Sequence, residues 1–385
     1  MKSLRLVASR ILAIMAMLAS AGCVSQSTSS ALPSSADTIV AELPIAVENP
    51  YALVDWETTG RFKANFHAHT TASDGRRNPH EVVDLYHELG YSALALTDHN
   101  RVTYPWESLS SLFPSNWAIN QLKSGRRSKL QTDYLDYQDR KASSLDMAAI
   151  QGNELSSHHH MGSFFTDHNG TKTVEDSLQA IGERNGLAMF FHPGRYNWSA
   201  SQYADYYRRY PQLVGMEIYN QGDRYPGDRD TWDRVLTELM PTRPVWGFSN
   251  DDSHMTEQIG LNWNVMLLPE LSEQWARKGM EQGRFYFVHA PHGHSGAAPP
   301  IIDSITVNHD ENTIRIEASN CRFIEWISNG NLLTDEGGES GGEVIHRGAI
   351  IHLERHRNRL GTYVRAVLHG ADGTVAGTQP FAIYK

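Results

Sequence analysis

Strand-like and helix-like stretches alternate through most of this chain, and few folds accept that order. Seven runs read as strands: "FKANFHAH", "YSALALTDH", "MAAIQGNEL", "GLAMFFHPG", "LVGMEIYN", "PVWGFSNDD" and "NWNVMLLPE". Between most of them lie helical stretches such as "NPHEVVDLYHELG", "TVEDSLQAIGERNG", "DRDTWDRVLTELM" and "ELSEQWARKGMEQG". Strands that alternate with helices pair in parallel, so the pattern predicts an α/β barrel over residues 56–295. The first helix carries its own punctuation: Asn78 as N-cap, Pro79 at the first helical position, Glu81 closing a capping box and Gly90 as the stop. Residues 101–149 break the rhythm and read as an insertion between the second and third strands, placed over the site. From 299 to 385 the pattern turns to short β runs separated by Gly, Asn and Asp, which predicts a small all-β sandwich. A length of 385 residues suits this division into a large domain and a smaller one.

The second constraint is what ends those strands. His67 and His69 are two apart, so on a strand they project from one face and can share one cation. Alone, such a pair is more often incidental. Later ends add Asp98 and His99 in "LTDHN", Glu154 with His158, His159 and His160 in "QGNELSSHHH", His192 in "FFHPG", and Asp252 with His254 in "SNDDSH". In an α/β barrel the C-terminal strand ends share one rim. Each residue has a plainer role open to it as a cap, turn residue or satisfied core histidine. Their collection on one rim predicts a metal centre. Mixed N and O donors without a thiolate suit Zn, Mn or Fe. Arg195, just after "FHP", is placed to clamp a substrate anion, although a surface loop would also hold an arginine there. Asp98 and Asp251 flank candidate ligands and read as groups that orient them. The "HAPHGH" run, 289–294, reads as loop rather than ligand.

The runs "FHAHTTASDG", "TDHN", "GNE", "FHPG" and "DDSH", in that order over residues 62–290, resemble the successive motifs of the PHP (polymerase and histidinol phosphatase) metallohydrolases. The resemblance implies a distorted (β/α)7 TIM-like barrel holding two or three divalent metal ions. Carried over by motif, His67, His69, Glu154 and Asp252 hold the first ion. Glu154 bridges to a second, which is also bound by His192 and one of the three consecutive histidines. His160 is favoured because "HMGSFF" resumes a strand-like run, and His158 and His159 stay open. Asp74, His99 and His254 hold a third. With two cations held a few Å apart, the water between them loses a proton near neutral pH and becomes an in-line nucleophile. The same cations neutralise charge on a phosphoryl or carbonyl oxygen. Glu154, Asp252 and Arg195 are thus the expected catalytic groups. The expected activity is a phosphoesterase acting on small phosphomonoesters or nucleotides. A carbamate or ester hydrolase with a reduced metal set is the alternative, and a non-catalytic envelope binding protein is a third reading.

Charge and targeting set the surroundings. A formal net charge of −10 disfavours a nucleic acid polymer or anionic lipid held by a basic surface, and leaves an anionic small molecule that bound cations attract. Lys2, Arg5 and Arg10 precede the apolar run "ILAIMAML" and the small residues of "ASAGC", which is the pattern of an export signal over 1–22. The small-small-Cys ending resembles a bacterial lipobox, which implies a lipid anchor at Cys23 and, with Val24 after it, the outer membrane facing the periplasm. Residues 23–55 begin as a Ser-rich tether. The remaining cysteine, Cys321, is expected in the core.

Overall fold

The computed structural model describes residues 44–102, 106, 140–330 and 342–385. The export segment, Cys23, the tether up to residue 43 and most of the 101–149 insertion lie outside the described residues. After the short β1 (Ala46–Glu48), the first unit is β2 (Gly60–Asn65) and α1 (Pro79–Glu88). Its signals act as read. The Asn78 amide donates to Glu81 Oε2 at 2.9 Å, Pro79 opens the helix, and Gly90 follows it at φ 74°.

The chain continues through β3 (Ala93–Ala95), β4 (Ala148–Ile150), β5 (Gly152–Leu155), β6 (Met161–Phe164), α2 (Val174–Glu183) and β7 (Leu187–Phe190). Next come α3 (Ala200–Arg209), β8 (Leu213–Asn220), α4 (Gly227–Leu239), β9 (Trp246–Asn250), β10 (Asn262–Leu268), α5 (Glu273–Gln282) and β11 (Phe285–His289). This is a mixed α/β architecture with several sheets. β2, β3 and β4 pair in parallel, as do β7, β8 and β9. β10 runs antiparallel to both β2 and β11, and β6 runs antiparallel to β5 and β7. The run "MAAIQGNEL", expected as one strand, breaks at Gln151: β4 stays with β3, and β5 opens a second sheet.

Among the described residues the ladders do not close into one continuous ring. The two sheets meet instead through single parallel bridges, Ala68 with Ser253 and His99 with Glu154. Both seams fall where candidate ligands leave the strand ends.

The last strands are β12 (Ile301–Asn308), β13 (Thr313–Ser319), β14 (Phe323–Gly330), β15 (Gly342–Arg347), β16 (Ile350–His352), β17 (Tyr363–His369), β18 (Val375–Gly377) and β19 (Phe381–Tyr384). β12, β13 and β16 form a separate antiparallel sheet. The others extend the first sheet through the pairing of β18 with β11. Ile302, Ile305, Ile314 and Ile316 of the small sheet share one apolar cluster with Ile324, Trp326, Val364 and Leu368 of the large one. The C-terminal strands are therefore bonded to the α/β part by a ladder, and the described residues belong to one unit, Leu43–Lys385. Cys321 departs from expectation: it is only partly buried, with its thiol donating to the Phe323 carbonyl at 3.3 Å. No helix among the described residues is long and apolar enough to cross a membrane.

Candidate metal centre

His67 and His69 lie just past the last residue of β2, and alternation along the extended chain turns both rings inward. Their Nε2 atoms are 3.1 Å apart. The segment is fixed from behind: Asp98 accepts from the Thr70 amide and hydroxyl, both at 2.8 Å, and from the Ser73 hydroxyl at 2.6 Å. Two buried carboxylates complete the group. Glu154 Oε2 lies 3.4 Å from His67 Nε2 and 3.2 Å from His69 Nε2, and Asp252 Oδ1 lies 3.2 and 3.0 Å from the same atoms. Four ligands at about 2.0–2.1 Å from a tetrahedral cation stand about 3.3 Å from one another. Five of the six separations among these donor atoms, at 3.0–3.4 Å, meet that requirement.

Glu154 faces two ways. Its Oε1 lies 2.7 Å from His160 Nδ1 and 3.3 Å from His192 Nε2. Its Oε2 faces His67, His69 and, at 2.9 Å, His99 Nδ1. One carboxylate thus stands between two sets of imidazoles. A third group gathers at the mouth around Asp74, which is exposed: its Oδ2 lies 3.5 Å from His99 Nε2 and 3.3 Å from His254 Nε2. The backbone is held away from its relaxed form at two of these positions. His192 and Asp252 have φ of 31° and 45°, a left-handed conformation that costs a non-glycine residue about 1–3 kcal/mol.

The donor chemistry asks for cations. His67 Nδ1 is 2.8 Å from Glu217 Oε1, so the proton of a neutral ring sits there and the bare Nε2 lone pair points at two carboxylates and another histidine. Acceptors facing acceptors repel unless a proton or a cation lies between them. Burial pushes the His69 ring down, but Asp252 and Glu154 outweigh it and hold it up at about 10. His99 follows the same pattern: burial opposes, Asp74 and Glu154 prevail, and the ring is held at about 9. Burial would raise Asp252, yet His67 and His69 keep it well below the usual carboxylate range. A divalent cation does the work of those protons, and the residues present fit it.

The three consecutive histidines separate cleanly. His160 alone reaches Glu154. His158 Nε2 meets the Ser177 hydroxyl at 2.9 Å, and His159 Nε2 meets the Tyr203 hydroxyl at 2.8 Å. Arg195 is exposed at the mouth, with Nη1 3.5 Å from His160 Nδ1. Asp251 does not orient a neighbouring ligand. It accepts from the amides of Gly260, Leu261 and Asn262 at 2.8–2.9 Å and so shapes the loop before β10. In the 289–294 run, His289 pairs with Asn262 and His294 with Lys63, away from the centre.

Glu217 is a member of the centre that strand-end patterning does not reveal. It accepts from His67 Nδ1, from the His192 amide at 2.9 Å, and from the Asn220 and Asn250 side chains, each at 3.0 Å. A signal existed: "LVGMEIYN" is buried at every residue, and a carboxylate inside such a strand needs partners.

No family model matches the chain, and no curated protein does. Solved structures show likenesses at low identity. A two-domain protein from Bacteroides vulgatus, described as containing a predicted PHP-like metal-dependent phosphoesterase, is 16% identical with TM-score 0.45, over 87% of this chain and 90% of that one. An amidohydrolase from Chromobacterium violaceum is 14% identical with TM-score 0.31, over 50% of this chain and 87% of that one. A lesion-specific endonuclease from Pyrococcus furiosus is 12% identical with TM-score 0.37, over 58% of this chain and 56% of that one. All three scores are low, and the chemistry of the centre rests on this chain's own donor set.

Proposed function

We propose that this chain is a PHP-type metal-dependent phosphoesterase acting on a small phosphomonoester or nucleotide. The observation that carries the reading is the division of five imidazoles across the two oxygens of Glu154. By the pair distances, His67, His69, Glu154 and Asp252 would hold one divalent ion; Glu154, His160 and His192 a second; Asp74, His99 and His254 a third. Zn, Mn and Fe suit these N and O donors. When bound, such ions supply Lewis-acid charge to phosphoryl oxygens and acidify water at neutral pH. The chain's own groups hold and orient. Glu217 fixes the His67 ring through Nδ1, and Asn220 Nδ2 donates to Asp252 Oδ2 at 3.2 Å. Arg195 offers a guanidinium to a substrate anion beside His160. The strands around the centre form the distorted (β/α)7 barrel of that family in this reading, supported by the two bridged seams.

The mouth group favours phosphate over a carbamate or neutral ester. A phosphoryl group presents several charged oxygens for a third cation to neutralise, whereas a single developing oxyanion is covered by two. His254→Ala should lower turnover of phosphate esters by about 10–100-fold while elemental analysis shows the first two ions retained. Wild-type turnover by that variant on every phosphate ester tried would shift the assignment to the ester hydrolase.

A lipid-anchored place at the outer membrane, facing the periplasm, belongs to the same proposal and is supported by the pattern ending at Cys23. Cys23→Ser should release the protein from the membrane fraction or leave its signal uncleaved. A variant that fractionates and migrates like wild type ends that part of the reading.

A further inference from the structure

The short turn after His192 is pinned at three successive residues, each by a buried side chain from a different element. Glu217 of β8 accepts from the His192 amide at 2.9 Å. The Tyr203 hydroxyl of α3 lies 3.2 Å from the Pro193 carbonyl and shares its proton between that oxygen and His159 Nε2. Asp228, in the first turn of α4, accepts from the Gly194 amide through Oδ1 at 2.5 Å. The first two anchors also serve neighbours, since Glu217 holds His67 and Tyr203 holds His159. Asp228 has no such second duty. It is fully buried, and its Oδ2 has no hydrogen-bond partner. Burial pushes the acid well above the usual carboxylate range.

Gly194 records how closely that acid approaches. A Cβ on Gly194 would stand 2.7 Å from Asp228 Oδ1 and 3.2 Å from the Asp228 amide nitrogen. The Gly194 backbone is not left-handed, so the turn itself does not require glycine there. What requires it is the acid. The turn in question delivers two groups to the centre: His192, whose Nε2 is 3.3 Å from Glu154 Oε1, and Arg195, whose Nη1 is 3.5 Å from His160 Nδ1.

We infer that Asp228, acting through the Gly194 amide, is a positioning residue that sets where His192 meets the cation shared with Glu154 and where Arg195 meets the substrate. This rests on the metal-dependent reading above. An acceptor held this close to Gly194 predicts a distinctive mutational pattern. Asp228→Asn keeps an acceptor oxygen of the same reach, Asp228→Ala removes it, and Gly194→Ala drives a methyl group against it. In Asp228→Ala the closer contact, with the carboxyl oxygen, is gone and only the backbone nitrogen at 3.2 Å remains against the same methyl group.

The experiment titrates manganese into the metal-free full-length protein and its variants, then measures steady-state hydrolysis of p-nitrophenyl phosphate by the loaded proteins. Asp228→Ala and Gly194→Ala should each weaken manganese binding by about 10–100-fold and raise KM, whereas Asp228→Asn should stay within about two-fold of wild type. The double variant Gly194→Ala/Asp228→Ala should bind no more weakly than Asp228→Ala alone. Asp228→Asn as damaging as Asp228→Ala would overturn the assignment, as would losses that multiply in the double variant. If Asp228→Ala does not fold, Gly194→Ala against Asp228→Asn still decides: damage by the first and not the second supports the inference, and the reverse overturns it. A wild type that binds manganese yet hydrolyses no phosphate ester would defeat the phosphoesterase reading while the manganese titrations still test Asp228.

Discussion

Asp233 and Glu154 are both buried carboxylates, and they differ in what completes them. Around Asp233 everything is supplied by the chain. Arg365 of β17 donates through Nε at 2.7 Å and through Nη2 at 2.6 Å, and the Tyr363 hydroxyl donates at 2.8 Å. The guanidinium also lies over the Trp232 ring, 4.9 Å from its centroid. Around Glu154 the chain supplies histidines and three further carboxylates, Asp252, Asp74 and Glu217, and the guanidinium of Arg195 stays at the mouth beside His160. The first cluster is closed. The second is electrically open, and the comparison teaches that its missing charge has to come from outside the chain.

The largest effect should come from the open cluster. Glu154→Ala takes donor oxygens from both sets of imidazoles at once. Cation content and kcat/KM should fall together, the latter by roughly a thousand-fold or more. His294→Ala should change neither, because His294 is exposed and bonds to Lys63 at 2.8 Å rather than to the centre. Elemental analysis and kinetics on the same preparations check this. Equal damage from the two variants would put the reacting centre elsewhere.

The closed cluster should answer in stability instead. Arg365→Met leaves Asp233 buried beside one hydroxyl, a loss of about 3–5 kcal/mol in denaturant unfolding. Adding Asp233→Leu should restore most of it, because the unpaired charge is gone. Manganese affinity of the folded protein should stay within about two-fold in both variants, since the two clusters share no partner. A single variant that costs less than about 1 kcal/mol would mean the clamp is not closed as described.

Much of the open cluster was legible because its residues stand at strand ends, where a break in apolar patterning is visible. His67, His69, Asp74, His99, Glu154, His160, His192, Asp252 and His254 are brought together by the fold in four overlapping groups. The choice among His158, His159 and His160 was partly legible: the strand resuming at "HMGSFF" favoured His160, the ring that faces Glu154, while the turning of the other two to Ser177 and Tyr203 depends on tertiary contacts. Sheet order was partly hidden too. Nothing in "MAAIQGNEL" marks the break at Gln151, and the reversal through β6 is a tertiary choice. Asp233 and Arg365 were invisible for a different reason. They are 132 residues apart, and each alone reads as a surface charge.

The smallest effect concerns a third way of burying an ionisable group, which is to keep it uncharged. His289 ends β11 and is buried, with its ring stacked on Tyr219 at 4.5 Å and 7°, and Nδ1 2.8 Å from Asn262 Oδ1. Asn262 Oδ1 only accepts, so Nδ1 carries a proton. Burial pushes the ring down to about 4, against the pull of Asp223. A histidine depressed in the fold contributes stability above its unfolded value of about 6.5 and loses it as pH falls towards 4. Between about pH 8 and about pH 5.5 the loss should be about 1 kcal/mol, read from urea unfolding. His289→Gln should lose correspondingly less over the same interval, whatever its stability at pH 8. The histidines around Glu154, held unprotonated by bound cations in a manganese-loaded sample, lose stability over the same interval by the same linkage, but equally in wild type and variant, so the difference between the two slopes isolates His289. Identical acid slopes for wild type and variant would mean that the His289 ring takes up its proton as readily in the fold as out of it. The distinction between charge that is closed, charge left open and charge avoided would then fail at the residue where it is simplest to test.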